Sequence, residues 1–497
     1  MKIENVLLNV NQIQKMYIDG DWLSGVSGET REIINPATEE VIAIVAEGDP
    51  EDVRKAVEAA YRAFYEEGWM ESKARDRAAL LYKLANLLEE RVEEFALIET
   101  LNNGKSIRDS KSDVEDAVNQ LRYYAGLATK PHGQVFDVPD DVQSMVIAEP
   151  TGVVGQIVPW NYPLLMATQK VAPAIAAGCT VVIKPAEQTP LTLIRLFELI
   201  HEIGFPKGVI NLVLGAGSVV GAELSRHPLV DKIAFTGGTA TGKIIMKTAA
   251  DTIKKVSLEL GGKSPLIVFE DADFDVAVDY ASFAIFANQG QVCSAGSRLL
   301  LQESIYENFV PELVKKAKAI NIGPGIEEIT NMGPLISNVQ LNRVLDYIEV
   351  GIKEGATLLC GGNKLNRKGY FIEPTIFTDT TPEMRIVQEE IFGPVLVIQT
   401  FKTEEEAIRL ANGTNYGLAG GVFTTDSARA MRVIRKLRAG ITWVNTYHNT
   451  FNEAPWGGYK QSGIGRDLGT YGFQEYLEMK QVNINLNIQP SGWLKGS

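Results

Sequence analysis

The sequence predicts an α/β protein built around a parallel β-sheet, and three observations support this class. Helical and strand-like segments alternate for most of the 497 residues. Between positions 150 and 270 the order is strand, helix, strand, helix, strand, which implies parallel strands with ligands at their carboxyl ends. The chain is 45% hydrophobic, enough for the cores of two or three domains.

The most regular stretch gives the order of the elements. GVVGQIVPW predicts a buried strand, and a helix that ends near Gly178 follows it. TVVIKP predicts the next strand, and a helix extends from Thr189, a candidate N-cap before proline, to about Ile203. VINLVL and KIAFTG predict two more strands. A second α/β unit begins with SPLIVF and extends from about 262 to 460.

Composition and charge exclude several classes of protein. A net charge of -14 without a basic stripe disfavours nucleic acid and anionic membranes as partners. No run reaches the ~18 apolar residues that a membrane helix needs, and the N-terminus does not have the pattern of a signal peptide. Three irregularly spaced cysteines indicate a reducing compartment, so we expect the cytosol. Four histidines without zinc-binding spacing predict no metal site.

Cys293 is the leading candidate for chemistry. It lies in the run NQGQVCSAGSR, among amide and small residues, whereas Cys179 and Cys360 adjoin apolar runs and are interpreted as structural. A thiolate attacks carbonyl carbons readily, and a glycine-rich loop can donate N–H groups to the resulting oxyanion. The local context alone also fits an inert buried cysteine. If Cys293 faces the first sheet, the chemistry lies in an interdomain cleft.

Two glycine-rich loops follow predicted strands. The loop Gly215–Gly221 resembles a dinucleotide fingerprint whose last glycine comes one residue late, and a second loop runs from Gly237 to Gly242. Such glycines let backbone N–H groups approach a pyrophosphate, although ordinary tight turns have the same composition. The second loop also nearly matches a P-loop. Ile244 stands where a magnesium-binding Ser or Thr is required, so an ATPase is disfavoured.

Four polar residues are further candidates. Lys184 and Glu187 follow a predicted strand and could hold a ribose, or lie in a solvated loop. A carboxylate there would repel a 2′-phosphate and favour NAD over NADP. Glu259, beside two glycines and between leucines, suits a partly desolvated general base or a salt-bridged structural glutamate. Asn161 could donate to an oxyanion or close an Asx turn.

Taken together, the motifs resemble those of the aldehyde dehydrogenase superfamily. They are Pro159-Trp160-Asn161, Lys184-Pro185-Ala186-Glu187, Phe235-Thr236-Gly237, Leu258-Glu259-Leu260-Gly261-Gly262-Lys263, Gly290-Gln291-Val292-Cys293, Glu389-Glu390-Ile391-Phe392-Gly393-Pro394 and Pro455-Trp456-Gly457-Gly458. The resemblance extends from Asn35 to Tyr476. It is closest to the general and retinal-oxidising enzymes, with betaine aldehyde dehydrogenases next.

This resemblance implies NAD-dependent oxidation of aldehydes to carboxylic acids through a thiohemiacetal and a thioester on Cys293. Asn161 and the N–H of Cys293 hold the oxyanion, Glu259 activates water, and Lys170 helps to relay protons. NADP is a disfavoured alternative cofactor because of Glu187. The implied cofactor contacts are Ile157, Pro159, Trp160, Lys184, Glu187, Gly217, Gly221, Phe235, Thr236, Gly237, Gly238, Leu260, Glu390 and Phe392.

Some positions depart from the family pattern. Gly238 replaces the usual serine of the pyrophosphate loop, and Asp467 replaces a glutamate common in the proton relay. Gln169 and Ala287 stand where bulky aromatics are frequent, so we expect a wide tunnel that accepts long or bulky aldehydes such as retinal. The expected substrate pocket comprises Tyr162, Gln169, Ala287, Val292, His448, Phe451 and Trp456.

Alternatives remain at this point. Betaine aldehyde is a second candidate substrate, since Tyr162 and Trp456 could form two walls of a cation-π box. Two alternatives belong to other functional classes. One is a catalytically silent protein that binds aldehydes or nucleotides, and the other is an ester hydrolase that uses Cys293.

The resemblance also implies the domain organisation. A doubly wound cofactor domain comprises residues 1–128 and 151–261, an α/β catalytic domain residues 262–476, and a small β element residues 129–150 and 477–497. VNINLNI alternates as a strand with one buried face should. An edge strand without a partner can pair with a strand of another chain, so we expect a homo-oligomer, either a dimer or a tetramer.

Overall fold

The computed structural model describes residues 12–130, 133–139, 141–491 and 493. Parts of the predicted terminal and β-element ranges, at 1–11, 131–132, 140, 492 and 494–497, lie outside the described residues. The strands are β1 Ile13–Gln14, β2 Met16–Ile18, β3 Asp21–Leu23, β4 Thr30–Asn35, β5 Glu40–Ala46, β6 Gly133–Phe136, β7 Val142–Pro150, β8 Val153–Ile157, β9 Thr180–Lys184, β10 Ile210–Leu212, β11 Lys232–Thr236, β12 Lys255–Glu259, β13 Pro265–Val268, β14 Arg298–Gln302, β15 Thr357–Cys360, β16 Thr375–Thr378, β17 Val395–Phe401, β18 Ala419–Phe423, β19 Ile441–Val444, β20 Gly463–Ile464 and β21 Leu477–Asn485.

The helices complete the chain. They are α1 Pro50–Tyr65, α2 Ala74–Glu89, α3 Val92–Asn103, α4 Ile107–Leu127, α5 Pro163–Ala177, α6 Leu191–Glu202, α7 Ala222–Arg226, α8 Thr239–Ala249, α9 Phe274–Phe286, α10 Tyr306–Lys318, α11 Asn338–Lys353, α12 Arg385–Gln388, α13 Glu404–Ala411, α14 Ser427–Lys436 and α15 Gly469–Gln474. The predicted α/β class is confirmed.

The first sheet has eight strands in the order β20-β12-β11-β8-β9-β10-β2-β3. Its central five strands are parallel, and β2, β3 and β20 join antiparallel at the edges. Chain order therefore reverses between β8 and β11, the switch point where an open doubly wound sheet binds ligands. Strands β8, β9 and β10 are buried throughout, as their continuous apolar runs predict.

The predicted start of one helix is wrong. Helix α6 begins at Leu191 with Pro190 at the capping position, and the hydroxyl of Thr189 has no hydrogen-bond partner. The predicted end of α5 is confirmed, since Gly178 caps the helix at φ 101°, which glycine adopts without strain.

The second sheet has seven strands in the order β15-β16-β17-β14-β13-β18-β19. All pairs are parallel except β15 with β16. Cys293 lies in the connection between α9 and β14. Strand β20, although late in the chain, pairs with β12 and places Gly463 opposite Glu259. The C-terminal segment thus returns to the first sheet beside the predicted general base.

A third, antiparallel sheet contains β21, β7 and β6, which brings the two separated parts of the predicted β element together. The buried face expected for VNINLNI is not formed within one chain, because β21 is exposed on both faces over most of its length. Val135, Met479 and Leu486 are also exposed there, at 71%, 57% and 62%. Apolar surface of this sheet therefore stays exposed to solvent in the single chain.

Within the described part of the chain, no helix combines the length and apolarity needed to cross a bilayer. Among the same residues, no group of three or more His, Cys, Asp or Glu side chains is arranged to hold a metal ion.

Candidate active site

A cleft of about 390 Å³ opens at the carboxyl ends of the first sheet's strands and is closed by residues of the second α/β unit. Predicted catalytic and cofactor residues from both units line it together: Pro159, Trp160, Asn161, Thr236, Gly237, Gly238, Glu259, Leu260, Cys293, Glu390 and Phe392. These residues come from five separate parts of the sequence. The sheet topology explains their convergence, because the ends of β8, β11 and β12 meet at one edge.

The loop that carries Cys293 has an unusual backbone. Asn288 and Gln289 lie in the left-handed region at φ 46° and 59°, and Gly290 follows at φ 68°. A Cβ on Gly290 would collide with the carbonyl of Gly393. Two consecutive non-glycine residues in this conformation are costly and are found mostly where surrounding contacts fix a functional loop.

Glycines 261 and 262 let three segments meet beside Cys293. A Cβ on Gly261 would overlap the carboxylate of Glu390, and one on Gly262 would overlap the carbonyl oxygen of Cys293. The N–H of Gly262 also donates to Oε1 of Glu390 at 2.9 Å. The absence of side chains at Gly261 and Gly262 therefore lets the Glu390 carboxylate and the backbone of Cys293 approach the end of β12 closely.

Burial raises the pKa of the Cys293 thiol to about 12, and the carboxylates of Glu390 and Glu259 add to the increase. The thiol is therefore protonated at neutral pH in the absence of other bound groups. Backbone N–H groups of Ser294 and Cys293 act in the opposite direction and favour the thiolate. A base, or a bound positive charge, would be needed to form the nucleophile.

Asn161 is buried beside this loop. One amide proton of Asn161 is donated to the carbonyl of Gln291 at 2.9 Å, and Asn288 donates to the carbonyl of Asn161 at 3.3 Å. A side-chain amide has two N–H donors, so the second remains to serve an oxyanion near Cys293. The contact with Gln291 fixes the amide two residues from the thiol.

Glu259 is 5% exposed, and neither carboxylate oxygen has a hydrogen-bond partner within the described part of the chain. Burial raises the pKa of this carboxyl well above its ordinary value, and Asp467 raises it further, whereas Lys170 and Arg466 lower it. A carboxyl in this state can accept a proton near neutral pH.

Lys170 and Gln169, neighbours on α5, both contact Asp467. The Nζ of Lys170 and the Nε2 of Gln169 donate to the same oxygen, Oδ2, at 2.8 and 3.0 Å. Gln169 is 3% exposed and its amide turns to Asp467, whereas the sequence predicted a residue that widens the substrate tunnel. Helix geometry alone does not reveal this contact, because its partner lies 298 positions away.

Lys184 and Glu187 lie at the end of β9, where an adenosine ribose was predicted. Lys184 is buried, and its Nζ donates to the carbonyl of Pro185 at 2.7 Å and to Glu187 at 3.4 Å. Burial lowers the pKa of Lys184. Glu47 and Arg31, which were not predicted from the sequence, form a two-bond ion pair at 2.6 and 2.7 Å and line a pocket with Glu187.

The predicted phosphate-loop residues are arranged around the switch point. Gly217 begins a π-helical turn that ends at Gly221, and Gly221 faces Ile157 and Lys184. Phe235 is buried near the end of β11. A Cβ on Gly237 would clash with the Phe235 ring.

Gly238, at the start of α8, has open space where a Cβ would lie. Among the residues that the structure describes, the hydroxyl of Thr236 has no hydrogen-bond partner. The start of α8 therefore combines an unsatisfied hydroxyl with room for a ligand.

Glu390 and Phe392 form the far wall of the cleft. Burial raises the pKa of Glu390 to about 7, and the Gly262 N–H opposes this shift. Phe392, at φ 62°, packs edge-on against Trp160 with ring centroids 5.1 Å apart. Gln340, which the sequence analysis did not identify, donates to the Phe392 carbonyl at 2.7 Å and holds this turn.

The other side of Cys293 is apolar. Val292 belongs to the hydrophobic core of the second unit, and Tyr162, Cys293 and Trp456 pack against this core. Ala287 is half-buried at the end of α9, and Phe451 is 63% exposed. His448 lies against the carbonyl of Ala284 at 3.0 Å, and burial lowers its pKa to about 4, so it is neutral.

A cation already contacts one wall of this pocket. The ammonium of Lys105 lies 4.0 Å from the centre of the Tyr162 ring and is paired with Asp113. The sequence analysis missed Lys105, since nothing local links position 105 to position 162. Lys105 therefore occupies one face of the Tyr162 ring, and only the other face is available to a cationic ligand.

Comparisons with known proteins agree with this geometry. The model of the aldehyde dehydrogenase family matches residues 22–482. A betaine aldehyde dehydrogenase of Bacillus subtilis is 51% identical over 97% of this chain and 99% of its own length. An aldehyde dehydrogenase of Emericella nidulans is 47% identical, covering 97% of each chain. The structure of betaine aldehyde dehydrogenase from Staphylococcus aureus in complex with NAD+ superimposes with a TM-score of 0.97 at 48% identity, covering 99% of both chains.

Proposed function

Because the chain belongs to the aldehyde dehydrogenase family, we propose that it oxidises aldehydes to carboxylic acids with NAD through a covalent intermediate on Cys293. The observation that carries this proposal is the meeting of Cys293, Glu259 and Asn161 in one cleft. The three residues come from different elements, and a purely structural cysteine has no need of an unpaired carboxylate and a fixed amide beside it.

The residues at the first sheet fit a dinucleotide. An unpartnered hydroxyl at Thr236, open space at Gly238 and the cleft between the sheets leave room for a ligand there. Lys184 and Glu187 would hold the adenosine ribose, and Glu390 the second ribose beside Phe392. NAD bound in this way supplies the hydride acceptor for the oxidation.

The protein's own groups perform the remaining steps. The positive charge that NAD would bring to the cleft favours the thiolate of Cys293, whose proton passes to solvent. The sulfur then adds to the aldehyde carbon, and the Asn161 amide with the Cys293 N–H stabilises the charge on oxygen. Passage of the aldehyde hydride to bound NAD would leave a thioester on Cys293. Glu259 then takes a proton from water as the water attacks the thioester carbon, and the carboxylic acid and free thiol are released.

Glu187 supports a preference for NAD over NADP, since it would repel a 2′-phosphate. Arg31 lies near Glu187, but it is already paired with Glu47, so it offers little compensation to a phosphate.

For the substrate we propose long or bulky aldehydes, retinal included. The small side chain of Ala287 beside the Cys293 loop supports a wide tunnel. Gln169 contributes less to this argument than its sequence position indicates, because it is turned to Asp467.

Betaine aldehyde is the second candidate. Relatives named for this substrate are 48–51% identical to this chain, and Tyr162 and Trp456 both pack beside Cys293. Lys105 on the Tyr162 ring argues against a complete cation box. The two substrates differ in charge, so a direct comparison separates them.

The experiment is NADH formation by purified protein with acetaldehyde, a long aliphatic aldehyde, benzaldehyde, retinal and betaine aldehyde, each with NAD and NADP. Cys293→Ala is the matched control. Activity absent from the variant supports the mechanism, and the ranking of aldehydes selects the substrate class. NAD binding without turnover of any aldehyde would favour a silent binding protein, and ester cleavage alone would favour a hydrolase.

We also infer a homo-oligomer, a dimer or a tetramer, in which the sheet β6-β7-β21 covers its exposed apolar residues against another copy. All three cysteines are unpaired, and a working thiol is best preserved in a reducing compartment, so the cytosol is the proposed location.

A further inference from the structure

Asp467 carries one carboxylate oxygen that receives two donors from adjacent residues of a single helix. Lys170 Nζ and Gln169 Nε2 approach Oδ2 at 2.8 and 3.0 Å. Consecutive helical residues point about 100° apart, so their side chains do not ordinarily share a partner. Here the side chains of Gln169 and Lys170 both reach Oδ2 of Asp467, so the carboxylate lies between the directions of the two side chains.

The contact is fully enclosed. Gln169, Lys170 and Asp467 are 3%, 1% and 2% exposed. In such surroundings a hydrogen bond is stronger than at the surface, and an unsatisfied amide is costly. A glutamine that served only as tunnel wall would not need its amide directed away from the tunnel.

We propose that Gln169 is a positioning residue that holds the Asp467 carboxylate against Lys170 and so fixes the charged pair beside the general base. This inference rests on the proposed role of Glu259. The second donor on the same oxygen is a means of holding the short aspartate side chain in reach of Lys170.

The pair acts on Glu259 electrostatically. After burial, Asp467 is the largest influence that raises the pKa of Glu259, and Lys170 is the first that lowers it. Other charged or titratable groups face this cluster from each packed element: Arg466 and Glu475 near Glu259, Cys293 across the cleft, and Tyr124, Tyr476 and Lys232 around Asp467. None of these donates to Asp467 Oδ2 in the described residues, so Gln169 and Lys170 share its control.

The direction of the effect follows. Replacing Gln169 by Met keeps similar volume and removes the donor. The Asp467 carboxylate then moves away from Lys170. Its displacement leaves the positive charge of Lys170 less compensated, and because this charge lowers the pKa of Glu259, the pKa of Glu259 falls.

The test measures kcat against pH in steady state for Gln169→Met, with Gln120→Met as the matched control. Gln120 is a buried glutamine that contacts α5 through Thr168. We expect the acidic limb of the Gln169→Met profile to move to lower pH by about half a unit or more, with little change in KM and none in the control. An unchanged limb, a limb at higher pH, or an effect confined to KM overturns the proposal.

Two further measurements separate this inference from the proposed function. In an Asp467→Asn background, Gln169→Met should add nothing, and an additive loss contradicts the coupling. A crystal structure of Gln169→Met should show the Asp467 carboxylate displaced from Lys170, whether or not the enzyme turns over. An undisplaced carboxylate overturns the inference, whereas wild-type protein inactive toward all aldehydes overturns only the proposed function.

Discussion

Trp456 and Asp467 exchange two backbone hydrogen bonds, from the N–H of each to the carbonyl of the other, at 2.7 and 2.8 Å. Trp456, a residue of the predicted substrate pocket, packs against the same apolar cluster as Cys293, and Asp467 faces Lys170. The segment between them pairs with β12 beside Glu259. The position of Trp456 is therefore tied through the backbone to the groups that surround Glu259.

Glu259→Gln should separate the two halves of the reaction. The thiol still attacks, so a first turnover of NADH forms rapidly. Hydrolysis loses its base, and steady-state kcat falls by about 10²–10⁴-fold. Stopped-flow absorbance measures both phases. Glu99→Gln is the control, because Glu99 is a second buried glutamate that does not line the cleft. Loss of the first turnover in Glu259→Gln would argue against this assignment.

The pH dependence of kcat should have an acidic limb well above the ordinary range of a carboxyl group. Burial raises the pKa of Glu259, so the protonated, inactive form persists to higher pH. Activity falls as pH falls through this value. A rate profile from about pH 5 to 9 measures the limb, and its disappearance in Glu259→Gln confirms the origin.

Glu259→Gln should also stabilise the protein at alkaline pH. The pKa of Glu259 is higher folded than unfolded, so its contribution to stability is greatest at low pH and declines as pH rises through the folded value. A glutamine cannot ionise, so the variant does not bear the cost of a buried negative charge at high pH. Its Tm should exceed that of the wild type by a few degrees at about pH 8, and the gap should close near pH 4. A gap that widens toward acid would contradict the sign.

Glu187→Ser should relax cofactor choice. Removing the carboxylate ends its repulsion of a 2′-phosphate and its proposed contact with the ribose of NAD, so the ratio of kcat/KM for NADP to that for NAD should rise about tenfold or more. Steady-state kinetics with both cofactors measure the ratio. Glu58→Ser, on α1 away from the cleft, is the control.

Ala287→Trp should narrow the tunnel. A large ring beside the Cys293 loop should lower turnover of bulky aldehydes relative to acetaldehyde by about tenfold. Met431→Trp, on an exposed helix position, is the control for a surface tryptophan. An unchanged ratio for Ala287→Trp would remove the structural support for bulky substrates.

Truncation after Lys480 removes half of β21 and its pairing with β7. The protein should become monomeric or insoluble, because the remaining sheet exposes more apolar edge. Size-exclusion chromatography with light scattering measures the state. A soluble oligomer of native size would show that the sheet is not the interface.

Strands could be predicted where the pattern is local. β8, β9 and β11 follow from continuous apolar runs, and the residues after them lie at the switch point as expected. The resemblance located Cys293, Glu259 and Asn161. Contacts that join distant positions could not be predicted, such as Lys105 with Tyr162 and Gln169 with Asp467, because they depend on packing between elements far apart in the chain.

The pairing of β20 with β12 also has a consequence for synthesis of the protein. Gly463 lies opposite Glu259, and Ser462 accepts from Leu260 at 2.9 Å and donates to Gly261 at 2.7 Å. A nascent chain on the ribosome can assemble the other seven strands of the first sheet long before positions 462–467 emerge. The surroundings of Glu259 are therefore completed only after the second α/β unit, with Cys293, has been synthesised.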